Sequence, residues 1–169
     1  DGTFSDVSGT ALVLDSSGNH IGLSATWWDY NSDGLPDLYV ANDFWGPDQL
    51  FRNNGDGTLT DVIKIALPHT PWFSMGADTA DLNNDGRLDL LYTARGSGYN
   101  GDIKLGRLYL RQGLEDWKFG PALVCGVGES ASCVETAELH GEGSREIVMQ
   151  KQNDFDTKSR VEGKRVELS

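Results

Sequence analysis

DYNSDGLPDLY, from Asp29 to Tyr39, and DLNNDGRLDLL, from Asp81 to Leu91, are two copies of one acidic stretch, 52 residues apart. A second pair of copies accompanies them: residues 1–7 read DGTFSDV and residues 56–62 read DGTLTDV. A third, more divergent acidic copy, ELHGEGSREIV, runs from Glu138 to Val148. Three copies at a spacing of about 50 residues indicate a repeat architecture.

Short apolar runs typical of β-strands follow the acidic stretches, and others lie between them. The runs are Leu38–Val40, Gln49–Phe51, Leu90–Thr93, Arg107–Leu110 and Ile147–Met149. No stretch shows a sustained 3.6-residue periodicity with caps, so helical repeats are excluded. The 21 glycines suit the tight turns that join short strands.

These signals predict an all-β fold made of β-propeller blades, with about three repeats of four-stranded antiparallel sheet. The chain is expected to form one propeller segment over residues 1–169. The repeats lie at approximately residues 1–55, 56–110 and 111–169, and the third is degenerate.

Oxygen-bearing side chains occupy alternate positions in the first two acidic stretches. They are Asp29, Asn31, Asp33 and Asp37 in the first loop and Asp81, Asn83, Asp85 and Asp89 in the second. Gly34 and Gly86 allow the reversal that returns the last carboxylate, and the carbonyls of Leu35 and Arg87 add a further ligand. Hard oxygen donors without sulfur or imidazole favour calcium. The alternative is an ordinary Asp-Gly hairpin turn.

The third copy offers longer donors and one imidazole. Its candidate ligands are Glu138, His140, Glu142 and Glu146. We therefore expect two calcium sites and treat the third loop as a degenerate site, doubtful as a calcium ligand set.

Charge and motif content restrict the function. The formal net charge is −12, with 26 acidic against 14 basic residues, which argues against a nucleic-acid partner. No apolar run is long enough to span a membrane. No nucleophile or metalloprotease motif accompanies the three histidines, so we predict no catalytic residues and no enzyme activity.

Two further groups of residues are candidates for a role. Cys125 and Cys133 flank a stretch of small residues, which suggests a loop that a disulfide bond could close, although two free thiols remain an alternative. Trp45 and Trp72 lie beside prolines and are the aromatic residues expected to reach a ligand-facing surface. For the other aromatic residues, packing between blades is the simpler interpretation.

The unit DxNxDGxxDLxVAN, followed by QLFRNNGDGTLTDV, resembles FG-GAP/VCBS repeats. These are the calcium-binding blades of integrin α-subunit propellers and of many secreted proteins. The stretches GDGTxxDV and SMGADxADLNNDGxLDL are most similar to the cartilage acidic protein family and its ASPIC/UnbV-type relatives. The resemblance covers residues 1 to about 112 strongly and the remainder weakly.

The resemblance implies a secreted, extracellular or periplasmic module that binds calcium and takes part in adhesion to a protein or glycan. Closing a propeller takes about 4–8 blades, so we expect the remaining blades to come from a longer protein or from other copies of the chain. Two alternative functions follow: a structural subunit of a filament or ring assembled by strand exchange, and a carbohydrate-binding or carbohydrate-cleaving propeller.

Overall fold

The computed structural model describes residues 2–11, 20–43, 46–67, 69–95, 106–128, 131–137, 146–151 and 160–164. Short strands dominate these residues. The strands are β1 (Ile21–Trp28), β2 (Asp37–Asp43), β3 (Gln49–Asn53), β4 (Leu59–Asp61), β5 (Ser74–Ala80), β6 (Asp89–Ala94), β7 (Gly106–Arg111), β8 (Leu123–Gly128), β9 (Ala131–Ala137), β10 (Glu146–Lys151) and β11 (Arg160–Lys164). The described helices are the single turns α1 (Ser8–Ala11) and α2 (Ile63–Ala66) and a 3-10 turn at Glu115–Trp117.

The strands form three antiparallel sheets in which each strand pairs with its neighbour in the sequence. Sheet 1 has the order β1-β2-β3-β4, sheet 2 the order β5-β6-β7-β8, and sheet 3 contains β9, β10 and β11. Each is a meander of the kind that forms one propeller blade. The prediction of all-β, blade-like sheets is therefore confirmed, with two four-stranded sheets and a third of three described strands.

The strand register repeats with the sequence. Trp28 pairs with Asp37 in sheet 1, Ala80 with Asp89 in sheet 2, and Ala137 with Glu146 in sheet 3. Each pair closes a connection of eight residues, at 29–36, 81–88 and 138–145, the last of which lies outside the described residues. The alignment of the three acidic stretches is thus matched by three equivalent hairpins. The sheets span residues 21–61, 74–128 and 131–164, so each begins about 20 residues into a predicted repeat.

The core lies between the sheets because their inner faces stack. Leu90 and Tyr92 of β6 belong to a buried cluster with residues of sheet 1 such as Tyr39, whereas Leu91 packs with Ile147 of sheet 3. Side chains alternate between the two faces of a strand, so sheet 2 is covered on both sides and all six residues of β6 are buried. Each fully buried leucine contributes about 1.5–3 kcal/mol relative to an exposed one.

Asp48 is a fully buried carboxylate at the junction of sheets 1 and 2. It accepts hydrogen bonds from the Tyr39 hydroxyl (2.6 Å), the Asn42 N–H (2.9 Å) and the Ser74 hydroxyl (2.7 Å). Its own N–H donates to the Thr70 hydroxyl at 3.2 Å. Because Ser74 begins β5 and the other two donors lie in β2, the carboxylate joins the two sheets.

The outer face of β1 is apolar and exposed. Trp27, which pairs with Leu38, is 58% exposed, and Ala25, which pairs with Val40 on the same face, is also exposed. Its equivalent in sheet 2, Ala77, is 7% exposed because sheet 1 covers it. The face of sheet 1 that is equivalent to the covered face of sheet 2 therefore has no cover from the other described sheets.

The predicted Cys125–Cys133 disulfide is wrong for this structure, in which Cys133 is a free, half-buried thiol. Cys125 belongs to β8 of sheet 2 and Cys133 to β9 of sheet 3, so the two residues lie on strands of different sheets. The short segment between them is a crossing from one sheet to the next, which the loop interpretation did not anticipate. Burial is the main cause that raises the pKa of the Cys133 thiol.

No helix within the described ranges is long and apolar enough to cross a membrane.

Candidate metal centre

The first acidic loop joins β1 to β2 and is held by its own side chains. Asp29 accepts the N–H groups of Asp33 (3.0 Å) and Gly34 (2.8 Å) through its two carboxylate oxygens. Asn31 accepts the Asp33 N–H at 3.3 Å and donates its amide to the Asp33 carboxylate at 2.8 Å. The other Asp33 oxygen accepts the Leu35 N–H at 2.9 Å. Short side chains of this kind are suited to such bonds because they reach the backbone two residues on.

The second loop repeats this arrangement. Asp81 accepts the N–H groups of Asp85 (3.1 Å) and Gly86 (2.9 Å). Asn83 accepts the Asp85 N–H at 3.0 Å and donates to the Asp85 carboxylate at 2.9 Å. Asp85 accepts the Arg87 N–H at 2.9 Å. The two loops therefore share one hydrogen-bond pattern, donor for donor.

The backbone reversal is also the same in both loops. Gly34 and Gly86 each have φ of 84°, a left-handed conformation that glycine adopts without a Cβ penalty. Ser32 (φ 54°) and Asn84 (φ 58°) precede them in the left-handed region. The predicted role of the two glycines in turning the chain is confirmed.

The last carboxylate of the first loop, Asp37, is buried at the start of β2. It accepts the N–H of Tyr30 at 2.9 Å and the N–H of Asn53, on β3, at 2.7 Å. Burial raises the pKa of Asp37, the two N–H groups oppose this shift, and the charges of Asp33 and Asp29 raise the pKa further. The loop therefore gathers negative charge around a carboxylate that is already poorly hydrated.

Asp89 occupies the same place in the second loop. It accepts the N–H of Leu82 at 3.1 Å and the N–H of Gly113, which follows β7, at 2.9 Å. Burial raises its pKa, and the charges of Asp85 and Asp81 add to the shift, while the two N–H groups lower it. Each loop thus ends at one buried carboxylate that accepts an N–H either from the third strand of its sheet, as at Asn53, or from just after that strand, as at Gly113.

The side chains of the two loops carry the kind of oxygen atoms that bind a hard cation. These oxygen atoms are not, however, gathered around one point. Across the described ranges, no three carboxylate, imidazole or thiol groups are drawn together into a metal-binding cluster. The carboxylate oxygens accept hydrogen bonds instead from backbone N–H groups and from the side chains of Asn31, Asn83 and Arg87. Each ionised carboxylate has about four lone-pair sites, so the two hydrogen bonds that most of the loop aspartates accept, and the three that Asp85 accepts, leave acceptor capacity on each of them.

The loops differ at one side chain. Arg87 stands where the first loop has Leu35, and its guanidinium contacts the Asp85 carboxylate at 2.6 Å and the Gly113 carbonyl at 2.9 Å. Sequence reasoning assigned Arg87 only a carbonyl role. The guanidinium therefore occupies a carboxylate oxygen of the second loop that a cation would also use. The first loop has no equivalent contact.

The remaining predicted site residues fall into two groups. Glu138, His140, Glu142 and Trp45 lie outside the described residues, and only the backbone of Glu146, at the start of β10, is described. Trp72 is 71% exposed, and its assignment to a ligand-facing surface stays a prediction. The N–H donors on Asn53 and Gly113 were missed, because they lie 16 and 24 residues from their acceptors and no local pattern marks them.

Comparison with known proteins identifies related sequences for the part of the chain that carries the two loops. The family model of the FG-GAP-like repeat matches residues 29–92. Cartilage acidic protein 1 of Homo sapiens is 36% identical over 81 residues, which cover 47% of this chain and 11% of that protein. The chain therefore spans about a tenth of the length of this curated relative.

Proposed function

On the premise that residues 29–92 are FG-GAP-like repeat sequence, we propose that this chain is a non-catalytic, calcium-stabilised β-propeller module. It acts outside the cytoplasm, in a secreted or periplasmic setting, by binding a protein or a glycan. The observation that carries the proposal is the repetition of one loop geometry, with the same donors and acceptors, at equivalent places in two sheets. Extracellular modules commonly use calcium in this way to order surface loops.

Two ions would be held by matching ligand sets. The first set is Asp29, Asn31, Asp33, Asp37 and the Leu35 carbonyl; the second is Asp81, Asn83, Asp85, Asp89 and the Arg87 carbonyl. A bound calcium ion supplies positive charge that offsets the repulsion among the carboxylates. The chain's own residues contribute the turn, the two positive-φ positions and the buried carboxylate that anchors the loop to its sheet.

A binding role is favoured over catalysis because of how the carboxylates are engaged. The best-spaced acidic side chains of the two loops accept backbone N–H groups of those loops, as for Asp29 and Asp81. A general acid or base needs a carboxyl group within reach of a substrate proton. The observed bonding instead supports a role in holding turns.

Calcium titration calorimetry tests this proposal. We expect two sites with Kd on the order of 10⁻⁴–10⁻³ M. Asp33→Asn and Asp85→Asn should each remove one site, because the amide keeps the turn but loses the charge. Asp56→Asn is the matched control, since Asp56 accepts the Thr58 N–H at 2.9 Å in a turn outside the two loops. Absence of binding heat, or a stoichiometry that Asp33→Asn leaves unchanged, contradicts the proposal.

A second candidate function is a subunit of a ring or filament, and the apolar outer face of β1 supports it. The partner it fits is another blade, either one of the remaining blades of a longer propeller or a blade of a second copy. The equivalence of the exposed Ala25 and the covered Ala77 supports sheet-on-sheet stacking as the mode of contact. Two sheets pack about 10 Å apart in this way.

Light scattering over a range of protein concentrations tests the assembly. We expect the mass to rise with concentration and Trp27→Lys to return it to that of one chain, because a charge on this face opposes stacking. Trp72→Lys, at a more exposed tryptophan that is not part of β1, should leave the assembly intact. A single-chain mass at every concentration rules out the ring or filament.

A further inference from the structure

A cleft of about 250 Å³ lies between the two acidic loops. One wall comes from the first loop, with Asp29 and Tyr30, and the opposite wall from the second, with Arg87. The hairpin that follows β7 closes the third side with Trp117 and Phe119. The cleft therefore has aromatic and charged walls together, which is the usual composition of a small-molecule site.

Trp117 is presented at the tip of a tightly closed hairpin. The Leu114 N–H donates to the Lys118 carbonyl at 2.8 Å, and the Gly120 N–H donates to the Gln112 carbonyl at 2.8 Å. Between these bonds Asp116 and Trp117 have φ of 62° and 57°. This left-handed region is rarely occupied by residues that carry a Cβ.

The indole that this strained turn holds is nevertheless 48% exposed. Trp117 thus has an unfavourable backbone conformation and an indole that is half exposed to solvent. Packing into the core does not explain this combination. Strain of this kind is concentrated at ligand sites.

The polar side of the cleft is fixed in position. Arg87 is held by the Gly113 carbonyl and by Asp85, so its guanidinium does not swing freely. A Cβ at Gly113 would lie 2.5 Å from the Leu88 carbonyl oxygen, so the hairpin approaches the second loop as closely as glycine permits. Tyr30, opposite, is half-buried. These contacts set the width of the cleft without a ligand.

We propose that this cleft binds a single sugar ring of a glycan, with the ring face stacked on Trp117. A sugar ring combines an apolar face with an edge of hydroxyl groups that both donate and accept hydrogen bonds. The cleft offers the complement: an indole face, the donors Arg87 and Lys118, and the acceptor Asp29. The net charge of −12 disfavours phosphorylated or sulfated ligands, and the volume admits one ring.

This inference deepens the glycan branch of the proposed function and rests on it for the ligand class. It assigns the role to Trp117, which the sequence did not single out, in place of Trp45 and Trp72. Calcium contributes by ordering the two loops that form the walls, and Asp29 belongs both to the proposed calcium ligand set and to the lining of the cleft.

The experiment follows the tryptophan indole N–H signals by NMR in excess calcium. The probes are the methyl glycosides of glucose, galactose, mannose and N-acetylglucosamine, with glycerol and inorganic phosphate as contrasts. We expect one or more glycosides to shift the Trp117 signal saturably, with Kd on the order of 1–10 mM. Trp117→Ala should weaken binding roughly tenfold or more, as expected for the loss of one stacked ring, whereas Trp72→Ala should leave it unchanged.

Several outcomes overturn the inference. They are no saturable shift with any glycoside, an unchanged glycoside affinity in Trp117→Ala read from the backbone amide signals of Lys118 and Phe119, and an equal or larger response to glycerol or phosphate. Trp117→Phe, which keeps an aromatic ring, should retain part of the affinity and guards against a folding defect in the alanine variant. The amide signals of Gly34 and Gly86 report calcium independently. Calcium binding without glycoside binding overturns the cleft alone, and glycoside binding without calcium binding overturns the calcium proposal alone.

Discussion

Removing calcium is expected to lower the midpoint of thermal unfolding by roughly 10–20 °C. At a calcium concentration one hundred times Kd, binding to the folded state alone stabilises it by about 2.7 kcal/mol per site. Two independent sites contribute about 5 kcal/mol, and 1 kcal/mol shifts the midpoint of a chain of this size by about 2–4 °C. The measurement is circular dichroism against temperature, first in excess calcium and then after chelation.

The physical basis of this effect is the burial of Asp37 and Asp89. Burial raises the pKa of both carboxyls, and the neighbouring aspartates raise it further, so each ionised carboxylate is held at a cost that a cation offsets. The Asp33→Asn and Asp85→Asn double variant should unfold at nearly the same temperature with and without calcium. Magnesium, which demands a smaller octahedral site, should restore less of the midpoint than calcium does.

Equal midpoints in calcium and in chelator would show that the loops are ordinary hairpin turns. In that case the backbone N–H groups alone satisfy Asp29, Asp33 and their equivalents. A change in midpoint that persists in the double variant places the calcium elsewhere on the chain. Either result removes the support that the two matched loops give to the proposed function.

The acidic loops could be predicted from the sequence because their chemistry is local. Asp29 and Gly34 are five residues apart and bond to each other directly, so a short pattern specifies the turn. The 52-residue spacing then places Asp81 and Gly86 in the same geometry. The strands after the loops could be predicted for the same reason, because side-chain alternation and turn residues are patterns of only a few positions.

Other features depend on contacts that no local pattern encodes. Asp48, in the sequence GPDQL, has the appearance of a turn residue, yet its partner Ser74 lies 26 residues away. The disulfide prediction is wrong for the same reason: the seven residues between Cys125 and Cys133 are compatible with a loop whether or not the two cysteines share a sheet. The cleft beside Trp117 requires two loops and a hairpin to meet, which only the stacking of sheets determines.

Replacing the buried carboxylate of Asp48 with a methyl group is expected to destabilise the fold by about 3–5 kcal/mol, because three donors lose their acceptor in a buried site. The donors are the Tyr39 hydroxyl, the Asn42 N–H and the Ser74 hydroxyl. Denaturant unfolding of Asp48→Ala in excess calcium measures the loss. Asp56→Ala, at a fully exposed aspartate, should leave the free energy of unfolding nearly unchanged. A loss below about 1 kcal/mol for Asp48→Ala would mean that water replaces the carboxylate.

Asp48→Asn separates the charge from the hydrogen bonds, and its effect should depend on pH. Burial raises the pKa of Asp48 above its ordinary value, against the lowering effect of its three hydrogen bonds. A raised folded-state pKa gives stability that is fully present below the unfolded value, about 3.9, and is lost as the pH rises through the folded value. The stability of the wild type relative to Asp48→Asn should therefore fall as the pH rises from about 4, by at most about 1.4 kcal/mol per pH unit. Titration of the acidic loops is common to both proteins and cancels in the difference. A difference that stays constant or grows with pH contradicts the raised pKa, and the carboxylate then joins sheets 1 and 2 in its ionised form without penalty.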